Sequence, residues 1–216
     1  MGFSNTFIAG FTFIYTLGTV GEAGFVQLNR QDLVGFSSET VLSYYTLLGY
    51  GGWINGSLGQ PHPDYFTALL WKQLVGLKVL SSSYNSTDES IAMGWDSHIW
   101  CGVTPDSVVL TYFNMLSTNV TILFPATLNT STRTEFFLTS TETVFNNKDT
   151  STVPPNSLTN DAIFLNGNQL YTNEDGTLPQ FPILGRKVTG SSVAVAPPWS
   201  YGFIVLDSAS PLPGCI

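Results

Sequence analysis

Two imidazoles, His62 and His98, fifteen Asp and Glu side chains, and two thiols, Cys101 and Cys215, are the groups in this 216-residue chain with the most obvious reactive chemistry. Each histidine stands alone in the sequence. His62 sits in a Pro-rich loop ahead of a helix, and His98 lies in a strand beside Trp100. They read as a turn residue and a strand-face residue. A serine hydrolase needs its nucleophile on a strained Gly-x-Ser-x-Gly elbow, and that motif is absent. Phosphate-cradling and dinucleotide-binding glycine patterns are absent too, so the sequence calls for no cofactor. No Cys-x-x-Cys pair or His-rich cluster offers a metal site. Glu22 and Glu39 can be posed as an acid/base pair. A glycosidase holds two carboxyls roughly 5–10 Å apart across the sugar. Nothing in the local spacing sets that pairing, and both read as solvated or capping acids.

The elements that would position these groups fall into two regions. Residues 6–18 carry apolar groups at helical spacing, with Gly18 and Gly21 as punctuation. Phe25–Leu33 reads as a short strand followed by a loop. A Gly/Pro-dense run over 50–63 is a loop. Pro63 and Asp64 then open a second helix, with Phe66, Leu69, Leu70 and Leu74 on one face and Gly76 as its stop. From Leu77 onward the pattern is short strands around Lys78, His98, Ser107, Val120, Glu135, Ala162, Ser192 and Tyr201. Asn166-Gly167 and Asp175-Gly176 are turn signals. Residues 150–158 and 180–188 and the Pro197-Pro198 pair read as loops and a turn. This pattern predicts an α/β fragment over 1–76 and an all-β sandwich over 77–216.

Composition narrows the function classes. A chain of this size buries a full core. Charged residues are 10% and the net charge is −8 with seven Lys and Arg. That argues against nucleic-acid binding by phosphate neutralisation and against docking on an anionic membrane by charge. No stretch is long and apolar enough to read as a membrane span. Four glycosylation sequons, at Asn55, Asn85, Asn119 and Asn129, point to the secretory pathway. The first residues do not read as a signal peptide, so the chain reads as starting inside a longer protein. Cys101 and Cys215 are two free thiols or one bridge on spacing alone; the oxidising compartment implied by the sequons favours the bridge. Such a bridge would close a loop worth about 4–5 kcal/mol in the chain-entropy model.

The run Pro61 to Leu80, with Pro63-Asp64-Tyr65 at its head and Val75-Gly76 followed by Lys78-Val79-Leu80 at its end, resembles the heparanases and heparanase-like endo-β-glucuronidases of glycoside hydrolase family 79. Upstream, Ser4 to Phe11 and Arg30-Gln31 with Gly35 are similar to family stretches. Downstream, Ile163 to Leu170, Asp175 to Pro179, Ser200 to Val205 and Gly214-Cys215-Ile216 are similar as well, in the family's order. Between Gly35 and Asn55 the chain is longer than the family pattern.

The resemblance implies the end of a (β/α)8 barrel followed by a C-terminal β-sandwich, closed by a Cys101–Cys215 disulfide. It implies a retaining hydrolase of β-glucuronidic bonds whose acid and nucleophile glutamates precede Met1, so that neither is carried over to any residue here. Tyr65 is carried over, as a residue facing the sugar through its phenol. The implied partners are a uronic-acid-containing glycan or proteoglycan and the missing barrel half, in cis or in trans. The implied locations are extracellular, lysosomal or vacuolar, or membrane-associated. Residues 1–76 supply one or two barrel units and should be poorly ordered or lean on the β region, because an open barrel piece leaves unpaired edges. The chain alone is expected to be inactive. Two other readings stand beside this one: a non-catalytic sandwich module that docks on or stabilises a separate barrel, and a truncated gene model.

Overall fold

A computed structural model describes residues 6–29, 47–48, 61–81, 94–124, 132–142, 158–173, 175–191, 193–207 and 214–215. Two helices come first, α1 (Phe7–Glu22) and α2 (Pro63–Leu74). Ten strands follow: β1 (Val75–Leu80), β2 (Trp95–Gly102), β3 (Ser107–Asn114), β4 (Val120–Leu123), β5 (Thr132–Thr139), β6 (Phe164–Leu165), β7 (Asn168–Gln169), β8 (Arg186–Thr189), β9 (Val193–Ala196) and β10 (Ser200–Asp207). Eight of them form one antiparallel sheet in the order β1-β2-β3-β10-β5-β6-β7, with β8 also on β5. β5 shares its second edge, pairing β8 through Thr132–Glu135 and β6 through Leu138 and Thr139. β4 and β9 form a separate two-stranded ladder.

The large sheet is buried on both faces. Successive side chains of a strand point to opposite sides, and β3 and β10 are apolar on both. Val109, Phe136, Leu138, Tyr201 and Phe203 meet the helices through Phe7, Phe11, Ile14, Phe66 and Leu70. Val108, Leu110, Tyr112, Phe137, Ile204 and Leu206 meet the β4–β9 ladder through Val120, Ala194 and Ala196. The helices therefore lean on the β region and share its core.

α1 approaches the sheet through glycines. A Cβ at Gly10 would lie 2.0 Å from the Tyr201 hydroxyl oxygen, at Gly18 2.1 Å from His98 Cδ2, and at Gly21 2.2 Å from Trp100. Gly18 and Gly21 do not punctuate the helix, as the sequence suggested; the helix runs through both to Glu22. Their missing side chains let helical backbone rest directly on large sheet side chains. Phe7 stacks on the Tyr201 ring with centroids 4.8 Å apart, and Phe11 meets it edge-on. Thr67 of α2 donates to Pro63 C=O and lies 3.4 Å from the Tyr201 hydroxyl, so both helices converge on that one ring.

α2 starts as expected, with Pro63 in its first turn and Asp64 buried beside it. It ends at Leu74, before the expected stop at Gly76, because Val75 is already paired with Gly102 of β2. Gly76 is a strand residue whose Cβ would lie 2.5 Å from Gly102 O. No strand forms over 25–29, and the rest of the expected Phe25–Leu33 strand lies outside the described residues. The expected loop over 180–188 ends in β8, which is held by its pairing to β5. Asn166 and Gly167 both have positive φ, 49° and 87°, and make the β6–β7 turn.

Candidate functional site

Tyr65 lies on the first turn of α2, with its backbone N–H donating to His62 C=O at 3.0 Å. Its ring meets Phe66 edge-on at 5.5 Å and packs, partly buried, against the helix-side core. Beneath it Asp64 is fully buried. A carboxylate in a helix's first turn faces the positive end of the helix dipole. Residues 49–60, which lead to this turn, lie outside the described residues.

Three residues after Asp64 along this helix, Thr67 reaches toward Tyr201. Burial pushes the Tyr201 phenol far above its usual range; the Thr67 hydrogen bond opposes the shift and the Asp64 charge adds to it. Tyr201 is thus a neutral, fully buried anchor that fixes α2, and with it Tyr65, against the sheet.

His98 is a strand-face residue of β2, as expected, and Glu22, read as a solvated or capping acid, stays exposed at the end of α1; the structure adds that the two meet. His98 is 7% exposed on the helix side of β2. Its Nδ1 lies 2.8 Å from Glu22 Oε1 at the end of α1, and its Nε2 lies 3.4 Å from Asp96 Oδ2. These are ion-pair approaches rather than well-aligned hydrogen bonds. Burial by itself lowers the imidazole pKa, but the Asp96 and Glu22 carboxylates outweigh burial and hold it above its ordinary value. The arrangement can store a proton and fasten α1 to β2. Alternation along β2 put Asp96, His98 and Trp100 on one face; that Glu22 would meet them required the helix to be docked.

A second charged group lies where β5 pairs with β8. Glu135, 1% exposed, accepts from Arg133 Nε at 2.7 Å and from Arg186 Nη2 at 2.5 Å. Arg133 also donates to the Ser191 and Val193 carbonyls, tying the start of β9 to β5. The Arg133-x-Glu135 spacing, two residues apart on one strand face, is the local signal that could have suggested it. A buried pair of this kind stands only while every partner is present.

Cys101 and Cys215 are joined, with Cα atoms 5.4 Å apart and a sequence separation of 114. Of the sequon asparagines, Asn119 is described and exposed, in the turn between β3 and β4. Asn114 braces that turn by donating to Thr118, Ala196 and Pro197 carbonyls. Asn55, Asn85, Asn129 and Glu39 lie outside the described residues. Among the described residues no three His, Cys, Asp or Glu side chains are grouped to hold a metal ion, and no helix is long and apolar enough to cross a membrane.

No protein-family model matches the chain. Among curated proteins it is 29% identical to the baicalin-β-D-glucuronidase of Scutellaria baicalensis, over 99% of this chain and 34% of that protein. It is 30% identical to the heparanase of Bos taurus, over 95% of this chain and 33% of that protein. It is 25% identical to heparanase-like protein 3 of Arabidopsis thaliana, over 98% of this chain and 38% of that protein. The chain therefore resembles heparanase-like proteins over nearly its whole length and spans about a third of theirs. Among solved structures, an arabinose-bound α-L-arabinofuranosidase aligns with a TM-score of 0.42 and 18% identity, over 75% of this chain and 21% of that one.

Proposed function

We propose that these residues form the C-terminal part of a heparanase-like glycoside hydrolase that cleaves β-glucuronidic bonds with retention. The observation that carries this reading is the similarity to a glucuronidase and to heparanases along 95–99% of the chain. On this reading residues 1–76 are the last units of a (β/α)8 barrel and 77–216 a β-sandwich. Tyr65 faces the sugar, where its phenol hydrogen-bonds a hydroxyl or the uronic carboxylate. The acid and nucleophile glutamates come from residues outside this sequence. In support, several described acids are already engaged: Glu22 and Asp96 with His98, Glu135 with two arginines, and Asp64 inside the core. The substrate is a uronic-acid-containing glycan or proteoglycan. The disulfide and the exposed Asn119 sequon favour an oxidising, secretory location.

The non-catalytic alternative has one observation in its favour. The two helices are built into the sheet's core, so the chain has a preassembled surface on which a separate barrel half could dock.

The test is incubation of the chain with an aryl β-glucuronide, alone and with a candidate barrel half. No turnover by the chain alone is expected, and restored turnover on mixing supports docking in trans. Turnover by the chain alone that a Glu→Gln change within it abolishes would overturn the assignment of the glutamates.

A further inference from the structure

Beside the β6–β7 hairpin, residues 165–171 and 178–186 enclose a cleft of about 620 Å³. That size lies within the range of about 300–1,000 Å³ usual for small-ligand sites.

The walls of the cleft are fixed from behind. Leu165 and Ile183 are buried in the core. Asn166 binds the hairpin to β5, accepting from Phe137 N–H and donating to Glu135 C=O. Gln73, near the end of α2, clasps Ile183 at both backbone groups: it donates to the carbonyl at 2.7 Å and accepts from the N–H at 3.0 Å. A site held in this way loses little ordering entropy when it is filled.

The lining selects for one chemistry. Asn168, Gln169 and Gln180 bring exposed amides to the cleft. Each amide offers donors and acceptors side by side, and a sugar hydroxyl is likewise both donor and acceptor. Tyr171 is 54% exposed and Leu184 62%. The Tyr171 ring offers a flat apolar face to the C–H face of a pyranose ring, and Leu184 adds an exposed apolar side chain to the same lining. Arg186 closes the inner wall, and with Arg133 it flanks the single Glu135 carboxylate. The three charges sum to one surplus positive charge in a chain of net charge −8. An aliphatic ligand would make no use of the amides. A phosphorylated one would call for more cationic donors than the cleft presents.

We propose that this cleft is a saccharide-binding site taking a short stretch of a glycan chain. Tyr171 is its stacking surface, Leu184 adds to the apolar lining, and Asn168, Gln169 and Gln180 read the hydroxyls. The site needs no turnover, so it stands or falls independently of the glycoside-cleaving reading.

The experiment is titration of the 216-residue protein with cellobiose and with a glucuronate-containing disaccharide, followed by ligand-observed NMR and calorimetry. Two variants are compared, Tyr171→Ala and the double change Gln169→Ala with Gln180→Ala. All three side chains are exposed, so circular dichroism and the unfolding midpoint should hold. Saturable binding of at least one sugar, weakened about tenfold in each variant, is expected. A preference for the uronate assigns its carboxylate to the Arg186 wall, and equal affinity assigns recognition to ring and hydroxyls; either result supports the site. No saturable binding of either sugar, or binding that neither variant changes, would overturn it.

Discussion

At the scale of single residues, His98 gives the chain a pH dependence whose sign follows from its partners. Its folded pKa is raised above the unfolded value of 6.5 by two carboxylates. The charged imidazole therefore favours the folded state. That contribution is complete below pH 6.5 and fades as pH rises through the folded value. The unfolding midpoint of the wild type should exceed that of His98→Gln at acidic pH, with the gap narrowing as the solution is made alkaline. A gap that widens with rising pH would contradict the geometry. Tyr65 gives a second test at this scale. In an enzyme containing this segment, Tyr65→Phe should lower kcat/KM on an aryl β-glucuronide by about 2- to 10-fold, the worth of one hydrogen bond. Unchanged kinetics would assign the ring to packing alone.

Helices and strands carry a different set of consequences. α1 lies close to the sheet because Gly10, Gly18 and Gly21 leave room for Tyr201, His98 and Trp100. Alanine is the better helix former by about 1 kcal/mol. Overpacking a tight contact costs roughly 1–3 kcal/mol, and the 2.1 Å approach at Gly18 puts that site at the upper end. Gly18→Ala should thus reduce stability in urea by about 1–2 kcal/mol in spite of its helix propensity. At the other helix, Gln73→Ala removes both bonds to Ile183 and leaves a buried residue's backbone short of partners. A loss of about 1–3 kcal/mol is expected, with faster amide exchange over 178–186 as its local signature.

For the molecule as a whole, one covalent constraint acts over a long stretch of chain. The Cys101–Cys215 bridge ties the chain's end to β2 over a separation of 114 residues. Replacing both cysteines by serine should cost about 2–5 kcal/mol, read as a lower urea midpoint. Mass spectrometry of the unreduced wild type should show both thiols oxidised. The sheet also joins regions that the sequence presents separately. β1 follows α2 without a connecting loop and pairs with β2, while the helices share a core with β3, β5 and β10.

The sequence by itself determined the elements whose signals are local. Both helices were legible from apolar spacing and from Pro63 with Asp64, and most strands from short apolar runs between turns. Asn166-Gly167 announced its hairpin through the positive φ it tolerates. Each signal lies within a few residues, where backbone preference and side-chain period act. Spacing alone leaves Cys101 and Cys215 open between two thiols and a bridge; the sequons favour the bridge and the family resemblance implies it. Only tertiary structure decided what the glycines of α1 are for, which acids His98 meets, and that Arg186 begins a strand beside Glu135. Those pairings join residues far apart in the chain. They depend on strand register and helix docking, which no short window of sequence contains.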